Sequence, residues 1–291
     1  MTITSSGAWE AIGHHRQLDG YRVFTVDAPS IGPEHHEPLL ILHGFPTSSF
    51  DYAAVLDGLR AGRRVLLIDG LGYGLSAKPD RAYTMALQAD LAAAYVAELG
   101  LDRLALLTHD MGDTVGGELL ARQLEGTWDV VVTDRVLTNG TVFMDLVRLS
   151  EGQRLLESLP DERLPAGLLG RDGVLVGLAA TFGPDADIGA AELDAQWAMI
   201  ATLEGERLLA RLARYIEERR QHEARFTPPL VDHPSPLVVV WGTDDPIAVP
   251  AMADRLAEAR PDARVVRLDG VGHYPMVEAP DRFLAALSDR G

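Results

Sequence analysis

The segment from Leu104 to Gly112 has the pattern of an apolar strand that turns directly into a helix. Such a reversal puts the apex residue into a strained conformation and needs small residues two positions before and after it. Thr108 and Gly112 are those small residues, so Asp110 stands at the apex. The helix is expected from about Thr114 to Leu124, and its N-terminus favours an anionic group. This segment alone leaves two interpretations of Asp110, a reactive carboxylate and a helix cap.

Three further predicted strands also end in groups that can do chemistry. A glycine turn, an acidic pair and a histidine follow them, at His43-Gly-Phe-Pro46, Asp244-Asp245 and Gly272-His273. Open α/β sheets bind ligands at the carboxyl ends of their strands. The order Asp110, Asp245, His273 is the chain order of nucleophile, acid and histidine in the α/β-hydrolases.

The alternation of strands and helices predicts an α/β-hydrolase fold with a mostly parallel sheet and helices on both faces. An antiparallel strand pair is expected from about Ala8 to Asp27, turning at Asp19-Gly20. The alternation stops between about Thr141 and Pro234, where the sequence is helical. We therefore predict a core domain of residues 1–140 and 235–291 and an inserted helical cap of residues 141–234. Six more strands are expected at 39–42, 64–68, 104–108, 135–138, 237–241 and 265–268.

Composition limits the partners and the location that we expect. The 291 residues are 47% hydrophobic, enough for a sizeable core, and carry a net charge of −17. That charge repels nucleic-acid phosphates and anionic membranes, so neither is an expected partner. The sequence has no apolar run of membrane-spanning length, no signal-peptide pattern at its N-terminus and no cysteine. We expect a cytoplasmic protein with no disulfide, no metal site and no cofactor.

These motifs resemble those of the α/β-hydrolases with an aspartate nucleophile, the group that contains epoxide hydrolases and haloalkane dehalogenases. The resemblance covers nearly the whole chain and rests on residues 43–46, 70–79, 108–112, 241–246 and 272–273. It implies a covalent ester on Asp110, which a water activated by His273 then hydrolyses. The backbone N–H groups of Phe45 and Met111 would form the oxyanion hole.

Two neighbouring aspartates compete for the role of the acid that orients His273. Asp245 is favoured because Trp241-Gly-x-x-Asp matches the spacing of the family, and Asp244 remains the alternative. Asn139 stands near the place where some relatives carry the acid, but an amide cannot supply the charge.

The leaving group is the open question. Halide release needs N–H donors, which the Phe45 and Met111 side chains lack, although Trp197 in the cap could supply one. Epoxide opening needs a proton donor, and the cap offers Tyr215, with His222 seven residues later as a second candidate. We therefore expect an epoxide hydrolase acting on a small apolar or moderately polar organic substrate and water. The alternatives are a haloalkane dehalogenase and a non-catalytic ligand-binding protein. The oligomeric state stays open, a homodimer included.

Overall fold

The computed structural model describes residue 3 and residues 5–288. Residues 1, 2, 4 and 289–291, which we assigned to the predicted core domain, lie outside the described residues. Eight strands are present in the described part of the chain: β1 (His14–Leu18), β2 (Tyr21–Ala28), β3 (Leu39–Leu42), β4 (Val65–Ile68), β5 (Arg103–His109), β6 (Val131–Thr138), β7 (Leu237–Gly242) and β8 (Arg264–Leu268).

The strands form one sheet in the order β1-β2-β4-β3-β5-β6-β7-β8. β1 pairs with β2 and β2 with β4 in antiparallel register, and all other neighbours are parallel. Strands β3 and β4 are buried along their whole length, as expected for a sheet that helices cover on both faces. The predicted α/β-hydrolase fold with its mostly parallel sheet is therefore confirmed.

Helices connect the strands and cover the sheet. Those outside residues 141–234 are α1 (Ser6–Ile12), α2 (Leu56–Leu59), α3 (Met85–Glu98), α4 (Met111–Leu124), α11 (Ala251–Ala259), α12 (Pro275–Glu278) and α13 (Pro280–Ser288). Those between β6 and β7 are α5 (Glu151–Ser158), α6 (Arg171–Ala179), α7 (Ala190–Ala201), α8 (Leu209–Leu212), α9 (Tyr215–Gln221) and α10 (Glu223–Asp232). Short 3₁₀ turns occur at Ser49–Tyr52, Met144–Leu146 and Thr202–Leu208.

Residues 141–234 form a helical insertion between β6 and β7, and the structure places no strand in them. Helix α10, at the end of this insertion, packs directly against α4. Their approach is close, because a Cβ at Gly117 would lie 2.5 Å from the backbone oxygen of Phe226. The insertion is therefore anchored on the helix that follows β5.

Three element boundaries differ by more than one residue from those that we predicted, and one of them is the start of β6, at Val131 rather than Arg135. The strand pair was expected from about Ala8, but residues 6–12 form helix α1, which Ser5 caps by accepting a hydrogen bond from the Ala8 N–H at 3.3 Å. The helix buries Trp9 completely, and this long-range packing outweighs the local preference for a strand. Helix α4 begins at Met111 rather than near Thr114, directly after Asp110.

No helix in the described residues is both long and apolar enough to cross a membrane.

Candidate active site

Asp110 lies at the sharp turn between β5 and α4. Its φ of 50° and ψ of −113° are strained values for a residue with a Cβ. The turn depends on close backbone approach, because a Cβ at Gly112 would lie 2.2 Å from the backbone oxygen of Leu42. A Cβ at Gly44 would likewise lie 2.8 Å from the Cβ of Asp110. The glycines thus bring the end of β3 against the apex residue.

The two carboxylate oxygens of Asp110 have different surroundings. Oδ2 accepts a hydrogen bond from the Phe45 N–H at 2.9 Å, whereas Oδ1 is buried and has no hydrogen-bond partner. Met111 occupies the first position of α4, so its N–H has no acceptor within the helix. Oδ2 therefore faces the Phe45 N–H, and Oδ1 is the oxygen for which the described residues supply no hydrogen bond.

His273 lies between Asp110 and Asp245. Its Nδ1 is 2.7 Å from Oδ2 of Asp245, and its Nε2 is 4.0 Å from Oδ1 of Asp110. Burial lowers the pKa of His273, but the charge and hydrogen bond of Asp245 and the charge of Asp110 outweigh it and raise the pKa to about 9. The imidazole is thus held in a defined orientation, with Nε2 facing the free oxygen of Asp110.

Asp245 is firmly positioned, whereas Asp244 is not. Oδ1 of Asp245 accepts the N–H groups of Ile247 and Ala248 at 2.7 and 3.0 Å. Asn139 donates its amide N–H to Oδ2 of Asp245 at 2.8 Å. Asp244 is exposed, and its carboxylate accepts only from the adjacent Thr243 hydroxyl at 3.2 Å. The structure therefore brings Asp245, and not Asp244, to His273.

A cavity of about 270 Å³ leads from the surface to His273 of this cluster, whereas Asp110, in the described part of the chain, is not among the residues that line it. Phe45, His273 and Tyr274 are buried and form its inner end, whereas Leu155 and Leu168 are about half exposed and form its outer end. Its other lining residues are Pro46, Ser150, Gly152, Gln153, Leu156, Leu169, Gly170, Gly173, Val174, Gly177, Leu178, Thr181, Leu209 and Ile247. The wall is predominantly apolar and comes mostly from the helical insertion.

Comparison with known proteins gives the family of the chain. Residues 39–286 match the model described as "Alpha/beta hydrolase family". The chain is a member of this family. It is 40% identical to LipZ of Mycobacterium tuberculosis, over 99% of each chain. It is 32% identical to the mesoderm-specific transcript protein of Mus musculus, covering 96% of this chain and 85% of that one.

More distant similarities include two kinds of hydrolase. The chain is 28% identical to haloalkane dehalogenase 2 of Mycobacterium tuberculosis over 87% of each chain. Among solved structures it resembles haloalkane dehalogenase DbeA from Bradyrhizobium elkani, with a TM-score of 0.74, 22% identity and coverage of 95% and 96%. It also resembles epoxide hydrolase CorEH, with a TM-score of 0.73, 18% identity and coverage of 94% and 96%. At these identities the two structures establish the fold alone.

Among the predicted cap donors, Tyr215 lies nearest to the candidate active site around Asp110. Its side chain is buried, and its ring packs on that of Phe45 with centroids 5.5 Å apart. Burial and the charge of Asp110 raise its pKa, against the opposing effects of Arg219 and a hydrogen bond from Gln153. Tyr215 does not line the cavity itself, but both Phe45 and Gln153 do. Tyr215 therefore lies against two residues of the cavity wall.

The structure does not bring the other two predicted cap donors to the cavity. His222 is exposed and marks the break between α9 and α10, so the continuous helix that would place it on the face of Tyr215 does not exist. Trp197 on α7 is half-buried and packs against the hydrophobic core without lining the cavity. Neither residue is positioned to donate to a leaving group.

Arg219, in the helical insertion, contacts the turn between β5 and α4 at Asp110. The sequence pattern did not reveal this contact. Its Nε donates to the Thr114 hydroxyl at 2.6 Å, and its Nη2 donates to the backbone oxygen of Asp110 at 3.2 Å. Its guanidinium carbon also lies 5.0 Å from the ring centroid of Tyr215, one helical turn earlier. This buried side chain therefore links α9 to Asp110 and to the candidate proton donor.

Two further residues near Asp110 have contacts that the sequence did not predict. Tyr73, in the loop after β4, donates its hydroxyl to the sulfur of Met111 at 3.0 Å, a weak acceptor. His109 places Nε2 2.8 Å from the backbone oxygen of His273, and burial lowers its pKa to about 3. A neutral His109 thus supports the loop that carries His273.

Proposed function

We propose that this hydrolase converts an epoxide into a vicinal diol through a covalent ester on Asp110. The observation that carries the proposal is the unequal environment of the two Asp110 oxygens, one bonded to the Phe45 N–H and one buried without a partner. A carboxylate held in this way presents one oxygen for attack and keeps the other against backbone donors.

In the first step, Oδ1 of Asp110 attacks a ring carbon of the epoxide and the C–O bond of the ring breaks. The departing oxygen takes a proton from the Tyr215 hydroxyl, giving a hydroxyalkyl ester. Gln153 can donate to the Tyr215 oxygen, because its own Oε1 already accepts the Ser150 N–H at 2.9 Å. The phenolic proton is then left for the substrate, and solvent restores it after the reaction.

In the second step, water hydrolyses the ester. His273 removes a proton from the water, and the resulting hydroxide attacks the Asp110 carbonyl carbon, whose oxygen becomes the oxyanion beside the N–H groups of Phe45 and Met111. The C–O bond to the substrate then breaks, and the imidazolium returns the proton to the diol. Esterification removes the Asp110 charge, which is one cause of the raised His273 pKa, so it lowers that pKa at the stage where a neutral base is needed.

Epoxide opening is favoured over halide release by the donors around Asp110. Met111 and Phe45 carry no side-chain hydrogen-bond donor, and the cavity lining, which lies wholly within the described residues, includes no tryptophan. Tyr215, in contrast, is a phenol packed on Phe45 and flanked by the positive charge of Arg219. An alkoxide needs a proton as it departs, whereas bromide leaves as a stable anion.

A product assay separates the three candidate functions. The purified hydrolase is incubated with styrene oxide, linear 1,2-epoxides and 1-bromoalkanes, and diol and bromide are quantified. We expect diol formation that Asp110→Asn abolishes. Bromide release without diol would identify the dehalogenase, to which the 28% identical relative lends weight. Neither product, with substrate still bound, would identify a non-catalytic ligand-binding protein.

A further inference from the structure

Helix α6 presents one face to the cavity along its length. Gly173 and Gly177 on α6, and Thr181 in the turn directly after the helix, follow each other at intervals of four residues, and all three line the cavity. Gly173 is exposed, Gly177 is half-buried and Thr181 is buried. The backbone oxygen of Thr181 accepts the N–H of His273 at 2.9 Å. We call this face of α6 and the turn that follows it the α6 wall, and it runs from the cavity mouth to His273.

The local structure does not require glycine at either position of the α6 wall. Both Gly173 and Gly177 lie inside a helix, where glycine is destabilising relative to alanine. A Cβ at either position would meet no atom within 4 Å. At Gly112 or Gly117, in contrast, a Cβ would collide with backbone atoms. The two glycines of the α6 wall thus hold open space rather than permit close packing.

The remaining cavity wall indicates which chemistry fits that space. Leucine, isoleucine and valine side chains dominate it, and no Lys, Arg, Asp or Glu side chain is among its lining residues, all of which lie in the described part of the chain. Away from His273 at the inner end, a charged group inside the cavity would lose its hydration without gaining an ionic partner among the lining residues. An apolar chain would instead gain from burial along the whole length of the α6 wall.

We propose that the substrate carries an unbranched, uncharged apolar chain, which lies along the α6 wall with its reactive end at Asp110, and that Gly177 sets the width of this passage. The position of the reactive end rests on the proposed function. The passage itself rests only on the cavity and on the absence of a side chain at Gly177. Compact or branched substrates would leave the outer half of the passage empty.

The test compares two variants that add the same side chain to α6. Gly177→Leu places it in the passage, and Ala179→Leu places it on an exposed position of the same helix that does not line the cavity. The measured quantity is kcat/KM for 1,2-epoxydecane divided by that for 1,2-epoxybutane. We expect this ratio to fall by at least about 100-fold in Gly177→Leu, because several methylene groups lose their site, and to be unchanged in Ala179→Leu. An unchanged ratio in Gly177→Leu would overturn the proposal.

A binding measurement keeps the proposal independent of the reaction. Binding of decan-1-ol and of decanoate is measured by calorimetry with the wild-type protein and both variants. We expect the alcohol to bind more tightly than the carboxylate, and Gly177→Leu to lose this binding while Ala179→Leu keeps it. If no epoxide is hydrolysed but this pattern holds, the proposed function fails and the passage stands. If epoxides are hydrolysed and decan-1-ol binds Gly177→Leu as well as wild type, the passage is wrong and the function stands.

A smaller substitution covers the case in which Gly177→Leu does not fold. Gly177→Ala adds one carbon to the open space and improves the helix propensity of α6. We expect its melting temperature to be at least that of wild type, with decan-1-ol bound several-fold more weakly. Stabilisation together with unchanged decan-1-ol binding would overturn the proposal.

Discussion

The Nε2 atom of His273 lies 4.0 Å from Oδ1 of Asp110, the one carboxylate oxygen of that residue without a hydrogen-bond partner. The distance is too long for a hydrogen bond, so the histidine does not occupy the free oxygen. In the proposed mechanism a substrate carbon reacts with Oδ1 first, and Nε2 serves a water after the ester has formed. The distance suits this proposal of two consecutive steps rather than one shared proton transfer.

The first prediction is that His273→Gln traps the ester. Attack by Asp110 does not need the imidazole, whereas hydrolysis needs it as the base. After incubation with an epoxide, mass spectrometry should find the tryptic peptide 104–122 heavier by the mass of the substrate, and fragmentation should place the adduct on Asp110. An adduct on Asp113 or Glu118 of the same peptide would contradict the assignment. Asp110→Asn/His273→Gln is the control and should carry no adduct in a short incubation.

The second prediction ranks the two neighbouring aspartates. Asp245→Asn should lower kcat by about two to four orders of magnitude, because an amide neither stabilises the imidazolium nor favours the required tautomer. Asp244→Asn is the matched control and should change kcat less than threefold, since that carboxylate is exposed and does not contact His273. Steady-state kinetics on one epoxide decides the ranking. Equal losses of kcat in both variants would show that the reaction does not depend specifically on the contact between Asp245 and His273.

The core of the fold could be predicted from the sequence because its signals are local. Each buried parallel strand is a short apolar run. Asp110 follows β5 directly, and Asp245 and His273 lie in the loops that follow β7 and β8. Parallel strands align their carboxyl ends, so the chain order already implied the proximity of the three side chains. Their distances in the structure agree with this inference. The element boundaries of the core that differ by more than one residue are the first helix, the start of α4 and the start of β6.

The helical insertion could not be predicted to the same depth, since its contacts depend on how helices pack rather than on local pattern. Arg219 and His222 lie in one charged run, yet Arg219 is buried against Thr114 and His222 is exposed. The difference arises because α9 ends at Gln221 and α10 starts in a new direction. Asn139 likewise supports Asp245 only because β6 and β7 are neighbours.

The third prediction concerns a buried carboxyl group between the core and the helical insertion. Asp51 accepts hydrogen bonds from the Thr47 hydroxyl at 2.6 Å and from the Gln196 amide of α7 at 3.0 Å. Burial raises its pKa to about 8, more than these two bonds lower it. A carboxyl group whose pKa is raised in the folded state stabilises the fold below its unfolded pKa of about 4, and this contribution is lost as the pH rises through about 8.

Asp51→Asn should therefore reduce the pH dependence of stability. Asparagine has nearly the shape of a neutral aspartic acid side chain and can form hydrogen bonds with Thr47 and Gln196, but it does not ionise in this pH range. The free energy of unfolding of the variant, relative to wild type, should rise by up to about 1.4 kcal/mol per pH unit between pH 5 and pH 8. Urea titrations at several pH values measure it. Parallel pH profiles for the two proteins would show that Asp51 does not titrate in this range.

The fourth prediction separates the charge of Arg219 from its hydrogen bonds. Both Arg219→Lys and Arg219→Gln lose the bond pair to Thr114 and to the Asp110 backbone, but only lysine keeps a positive charge near Tyr215. Each variant should lose about 1–3 kcal/mol of stability, because buried acceptors lose their donor. Single-turnover ester formation from an epoxide should be slower in Arg219→Gln than in Arg219→Lys. Equal rates would assign Arg219 a purely structural role.

The last prediction tests the proton donor and with it the choice of leaving group. Tyr215→Phe keeps the ring on Phe45 but removes the hydroxyl, so epoxide opening should slow by about two to four orders of magnitude while substrate binding changes little. Tyr73, whose hydroxyl donates to the Met111 sulfur, is a second phenol in contact with the residue after Asp110, and a double variant with Tyr73→Phe should be slower than either single variant. His222→Gln should match wild type, since that side chain is exposed. If Tyr215→Phe opens epoxides at the wild-type rate, the proton comes from another group; if it impairs bromide release equally, its effect is structural.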